Sequence, residues 1–191
     1  MKRLVSKEER ERLRKKNRVT VGVILVFLMV ASTLGFAIQD NLGNSGSVEN
    51  PEKVTYNGFE FSSTNGFWVF QNFVFRYNPK EVPDVGDVLK NIDEYRGKPV
   101  YIQSEDKVAE AELYVNLAQV AERVQEACLE NDSACVEGLP IKTCSDNFII
   151  IRESETQRIS QVDGCVYIEG KKEDIVKLTD QFLFKILGIK E

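Results

Sequence analysis

Four cysteines, Cys128, Cys135, Cys144 and Cys165, are the side chains of this sequence best suited to chemistry, and no histidine accompanies them. The lack of histidine excludes Ser-His-Asp and Cys-His nucleophilic mechanisms and every histidine metal site. Six, eight and twenty residues separate successive cysteines. Structural zinc sites pair their cysteines two to four residues apart and thioredoxin-like redox sites need CxxC, so neither pattern is met. An even number of widely spaced cysteines reads as two disulfides in an oxidising compartment. Three connectivities are possible. The one expected here joins Cys128 to Cys135 and Cys144 to Cys165, the second closing a loop of about twenty residues and contributing on the order of 3 kcal/mol through chain entropy. The competing chemical reading is thiol–disulfide exchange by one pair, which requires an accessible thiolate of lowered pKa.

The other reactive groups offer less. Carboxylates are numerous but dispersed; Asp84, Asp87, Asp93 and Glu94 fall in one connection without EF-hand spacing, as a solvated acidic loop would. Neither GxxxxGK[ST] nor GxGxxG occurs, so nothing announces a nucleotide. Asn131-Asp132-Ser133 fits the glycosylation pattern, a single match of little weight. No catalytic, cofactor-binding or metal-binding residue is assigned on this basis, and no cofactor is expected.

What must position the cysteines is a domain that follows an apolar segment. Residues 19–38 are twenty consecutive uncharged residues, about 30 Å of helix and so the thickness of a bilayer's hydrocarbon core. Residues 1–18 carry nine basic against three acidic residues, a net +6; the remainder carries sixteen against twenty-seven, a net −11. Basic residues beside a span stay cytoplasmic, so the expected order is a basic cytoplasmic stub (1–18), a single transmembrane helix (19–38), a flexible Asn/Gly/Ser-rich tether (39–53) and an extracytoplasmic domain (54–191). A cleaved signal peptide is the alternative, with Gly35 and Ala37 at its −3 and −1 positions. The apolar run is longer than such peptides use, which favours the uncleaved anchor. Partners expected are the lipid bilayer through residues 19–38 and an envelope protein, with nucleic acid repelled by the acidic domain.

Within the domain, aromatic residues alternate from Tyr56 to Tyr77 around Asn65-Gly66 and Gln71-Asn72, which predicts a three-stranded antiparallel meander with one aromatic face. Three prolines mark residues 78–99 as irregular. A short strand follows at 100–103. Ser104 or Asp106 then caps a helix predicted to run to about Leu129, its inward face carrying Leu113, Leu117, Val120, Val124 and Cys128. Phe148–Ile151 is a wholly apolar strand, residues 158–162 and 165–168 form a hairpin about Asp163-Gly164, and a last helix begins near Glu173 and ends at Gly188 with Ile189 as its Schellman contact. The expected class is α+β: one mainly antiparallel sheet with two helices packed on one face.

The segments LPIKTC, DGCVYIEG and DQFLFKILGI together resemble a family of small, uncharacterised, single-pass membrane-anchored archaeal proteins. The resemblance covers mainly residues 56–189. It implies a pattern of strands and cysteines and no activity.

Overall fold

The computed structural model describes residues 51–87, 89–130, 132, 135 and 138–190. The stub, the 19–38 span and all but the last three residues of the tether therefore lie outside the described residues. Among the described residues no helix is long and apolar enough to cross a membrane.

Strands β1 (Lys53–Tyr56), β2 (Phe59–Thr64), β3 (Phe67–Phe70) and β4 (Phe73–Phe75) form an antiparallel meander joined by two-residue loops. Two of these loops are Asn-Gly pairs, Asn57-Gly58 (φ 48° and 85°) and Asn65-Gly66 (φ 52° and 79°). Left-handed backbone at both loop positions gives the twist that antiparallel strands need, and Asn followed by Gly adopts it most readily. The meander thus has four strands where three were expected, because Asn57-Gly58 turns the chain once more. Its aromatic face is formed as expected: Phe59, Phe61, Trp68, Phe70 and Phe75 share it, with Phe61 and Phe75 wholly buried.

Strands β5 (Pro99–Ser104), β6 (Arg123–Glu126), β9 (Asn147–Glu153), β10 (Arg158–Val162) and β11 (Cys165–Gly170) make a second sheet in the order β10-β11-β9-β5-β6. Only the β10–β11 hairpin is antiparallel; β11–β9, β9–β5 and β5–β6 run parallel. The two-residue strands β7 (Cys128–Leu129) and β8 (Ile141–Lys142) pair separately. The α+β class, the antiparallel meander and two helices stand as expected. A single sheet does not, and the interior of the second sheet is parallel. Its central strand explains why: Phe148, Ile149, Ile150 and Ile151 are all buried, Ile149 and Ile151 toward the helices and Phe148 and Ile150 toward the opposite face. Continuous apolar residues suit a strand covered on both sides, as parallel strands are.

Helix α1 (Lys107–Leu117) joins β5 to β6, and α2 (Ile175–Ile186) follows β11. The side chain of Asp106 caps α1, accepting from the backbone N–H of Val108 and Ala109 at 2.9 Å each. The helix predicted to reach Leu129 ends twelve residues earlier. Val120, Val124 and Cys128 are not on it: Val124 is a strand residue opposite Val100, and Cys128 opens β7. The apolar spacing fits a helix, but backbone pairing captures the chain first. Gly97 donates to the Val120 carbonyl at 2.9 Å and Glu122 donates to that of Lys98 at 3.0 Å, drawing residues 120–126 onto the sheet edge.

Both helices share one core with the meander and the five-stranded sheet. On the meander side, the Phe184 ring of α2 sits 4.5 Å from Phe75 and 5.7 Å from Phe61. Being covered on two sides, α2 buries Thr179, Asp180 and Gln181 as well as its apolar residues. It closes as the sequence indicates: Gly188 (φ 70°) donates to the Lys185 carbonyl at 3.0 Å and Ile189 to that of Phe184 at 2.9 Å, a Schellman cap.

Strand β4 is the last strand of the meander, yet its outer edge is not bare. Helix α1 runs beside it, and the side chain of Asn116 exchanges two hydrogen bonds with the backbone of Val74, accepting at 2.8 Å and donating at 2.7 Å. Glu112 accepts from the Arg76 N–H and Asp180 of α2 from the Tyr77 N–H, each at 2.8 Å. Gln119 donates to the Asn72 carbonyl at 2.7 Å. Glu112 and Asn116 on one helix face, and Gln119 in the turn that follows, reach residues 76, 74 and 72, every second residue along the edge, so polar side chains replace the missing fifth strand.

Candidate functional site

The cysteines pair as the spacing suggests, Cys128 with Cys135 (Cα–Cα 5.4 Å) and Cys144 with Cys165 (4.8 Å), and none is free. Cys128 and Cys165 are buried to within 1% of complete, while Cys135 and Cys144 are half-buried. Cys128 owes its burial to β7, not to the inward face of a helix. The second bridge needs its neighbour to be glycine. A Cβ on Gly164 would lie 2.1 Å from the Asp146 carbonyl oxygen and 2.6 Å from that of Cys144, and the Gly164 N–H donates to the latter at 2.8 Å. On the back of the sheet Leu129 and Cys144 pack with Tyr101, Phe148, Ile150 and Tyr167.

At the carboxyl ends of β5, β6 and β9 lies a cleft of about 260 Å³, bordered by the Cys128–Cys135 bridge, Gln103, Lys107, Glu110, Glu126, Asp132 and Arg152. Such a position, where a parallel sheet's connections diverge to either side, is where open α/β sheets commonly bind ligands. Here the polar groups are engaged with one another. Lys107 donates to Glu110 at 2.8 Å and to Glu126 at 3.0 Å, and those two bonds, in that order, raise the pKa of its ammonium. Asp132 accepts from Arg152 at 2.6 Å and from Gln103 at 2.8 Å, and Gln103 accepts from the Leu129 N–H at 2.7 Å. Ser104 has its hydroxyl committed to the backbone of Asp106 in both directions. Bridged sulfurs and a committed hydroxyl leave no activated nucleophile among the described residues of the cleft, where one cation, Lys107, answers two carboxylates and burial raises the Glu110 carboxyl.

The acidic connection is similarly occupied. Asp93 pairs with Arg96 at 3.1 Å and Glu94 with Lys98 at 3.4 Å, and among the described residues no group of three ligating side chains could hold a metal.

A different surface carries unsatisfied apolar area. Val108, Tyr114 and Val115 of α1 are 43%, 51% and 54% exposed and Phe67 of β3 is 38% exposed. Val108, Ala111 and Val115, with Phe67 and Val74, line a shallow groove of about 200 Å³ whose rim holds Arg76 and Glu112. The Arg76 guanidinium lies over the Phe67 ring, 5.4 Å from its centre. Sequence reasoning followed the Leu113–Leu117 face and passed over this second stripe. Its signal is present, since Val108, Ala111 and Val115 recur at i, i+3 and i+7, the spacing of a helix face.

Compared with protein families, with curated proteins and with solved structures, the chain matches none.

Proposed function

We propose that this chain is a single-pass membrane protein, as the resemblance to small membrane-anchored archaeal proteins suggests, and that its domain stands outside the cytoplasm and works by contact with another envelope protein. The reading rests on the apolar stripe Val108–Val115 with Phe67, a solvent-facing strip that neither helical packing nor the meander uses. Contiguous exposed apolar residues beside polar ones are characteristic of protein-contact surfaces. The strip is taken to receive an apolar segment of the partner. Thiol–disulfide exchange is the weaker reading, because one cysteine of each bridge, Cys128 and Cys165, is buried and an exchanging thiolate must be accessible.

The test is co-purification of the full chain from membranes, wild type beside Val115→Asp. Val115 is more than half exposed, so the variant should keep its fold and circular dichroism while losing the proteins that accompany the wild type. The same set of proteins with both chains would refute contact through this strip. Insulin reduction by the purified wild type would favour the exchange reading.

A further inference from the structure

Between α1 and α2, beneath the end of β4, two carboxyl groups meet in the protein interior. Asp180 is completely buried and Glu112 is 9% exposed. One oxygen of each is taken by a backbone donor, Glu112 Oε1 by the Arg76 N–H and Asp180 Oδ2 by the Tyr77 N–H. The other oxygens, Glu112 Oε2 and Asp180 Oδ1, have no hydrogen-bond donor among the described residues. A buried acceptor without a donor is costly, and two buried carboxylates side by side are costlier. One proton between them removes both penalties.

We propose that Glu112 and Asp180 share a single proton, and that this proton is a latch fastening β4 to the helices, which opens when the pair loses it. The charges facing the pair fit one proton and not none. From the β4 side comes the Arg76 guanidinium, its Nε 3.6 Å from Glu112 Oε2. Lys177 of α2 is turned elsewhere, over the Tyr77 ring at 5.2 Å. Asn116 of α1 is a neutral amide spent on Val74. A singly protonated pair carries one negative charge against Arg76, whereas a fully ionised pair would set two against that one guanidinium. Burial first, and then the neighbouring Glu112 charge, hold the Asp180 carboxyl well above the usual range; burial also raises that of Glu112.

The sign of the pH dependence follows. Unfolded, both carboxyls are ionised above about pH 5 and bind no proton, while the latched state binds one. Stability from the latch is therefore complete below the ordinary carboxyl range and falls as pH rises toward the raised folded value. With one proton released per opening, protection falls about tenfold per pH unit in that window.

Amide hydrogen exchange on the full chain in detergent micelles reads this directly. In the wild type, protection factors of peptides spanning residues 73–78 should fall about tenfold per unit between about pH 5 and pH 8, while peptides from β9 stay level. In Asp180→Asn, the amide can donate to Glu112 and still accept from Tyr77 without any proton, so protection at 73–78 should be flat with pH. Glu112→Gln makes the same prediction from the other partner. A flat wild-type profile, or an equal slope in either amide variant, overturns the proposal. So does failure of both amides to fold at pH 5, since each imitates the protonated pair.

Discussion

Cys144 and Cys135 are each the half-buried partner of a buried cysteine, so replacing either with serine removes a bridge without placing a hydroxyl in the core. The bridges differ in the loops they close, with sequence separations of 21 and 7. Constraint of the unfolded chain is then worth about 3.4 kcal/mol for Cys144–Cys165 and about 2.5 kcal/mol for Cys128–Cys135. Cys144→Ser should melt roughly 3 °C below Cys135→Ser in thermal scans of the full chain. Equal melting points would mean that the unfolded chain is already restricted around residues 144–165. At this scale the sequence was informative about sulfur and silent about carboxyls. Cysteine count and spacing pointed to two disulfides among three connectivities, and the expected pairing is the one that forms. Glu112 and Asp180 carry no such signal, because nothing local to either helix reveals that a meander covers it.

The α1 helix acts as a surrogate strand, and that role can be measured. Asn116 satisfies both the N–H and the carbonyl of Val74, whereas Gln119 makes an exposed bond to Asn72 at the end of the same row. Asn116→Ala leaves two main-chain groups under the helix without partners and should cost about 2–3 kcal/mol. Gln119→Ala should cost less than about 0.5 kcal/mol. Urea denaturation would show the first as a lowered midpoint at unchanged slope, and similar losses for both would show that solvent reaches the β4 edge. Elements with local signals were legible: Asn65-Gly66, the alternating aromatics of residues 59–75 and the Gly188 cap all appear in the structure. Those whose ends are decided elsewhere were not. Residues 118–129 continue a helical apolar spacing, but pairing with residues 99–102 makes residues 123–126 a strand, and pairing with Ile141–Lys142 does the same for Cys128–Leu129. Parallel pairing of β5, β6 and β9 was equally hidden, since it joins segments dozens of residues apart. The apolar run Phe148–Ile151 was its one sequence trace.

For the whole molecule, the proposed single-pass topology turns on which side of the membrane the domain occupies. Two bridges that close buried positions persist in an oxidising compartment and are rare in a reducing one. The basic excess of residues 1–18 against the uncharged 19–38 segment points the same way, since positive charge is retained on the cytoplasmic side. These arguments are independent, one resting on redox chemistry and the other on charge, and they can fail separately. Protease added to intact cells should remove residues beyond the tether and leave the basic stub protected. After lysis under alkylating conditions without reductant, no cysteine should carry label. A protected domain with labelled cysteines would place it in the cytoplasm and overturn both arguments together. A protected domain with unlabelled cysteines would defeat the charge argument alone, leaving bridges that had formed in a reducing compartment to be explained by their burial.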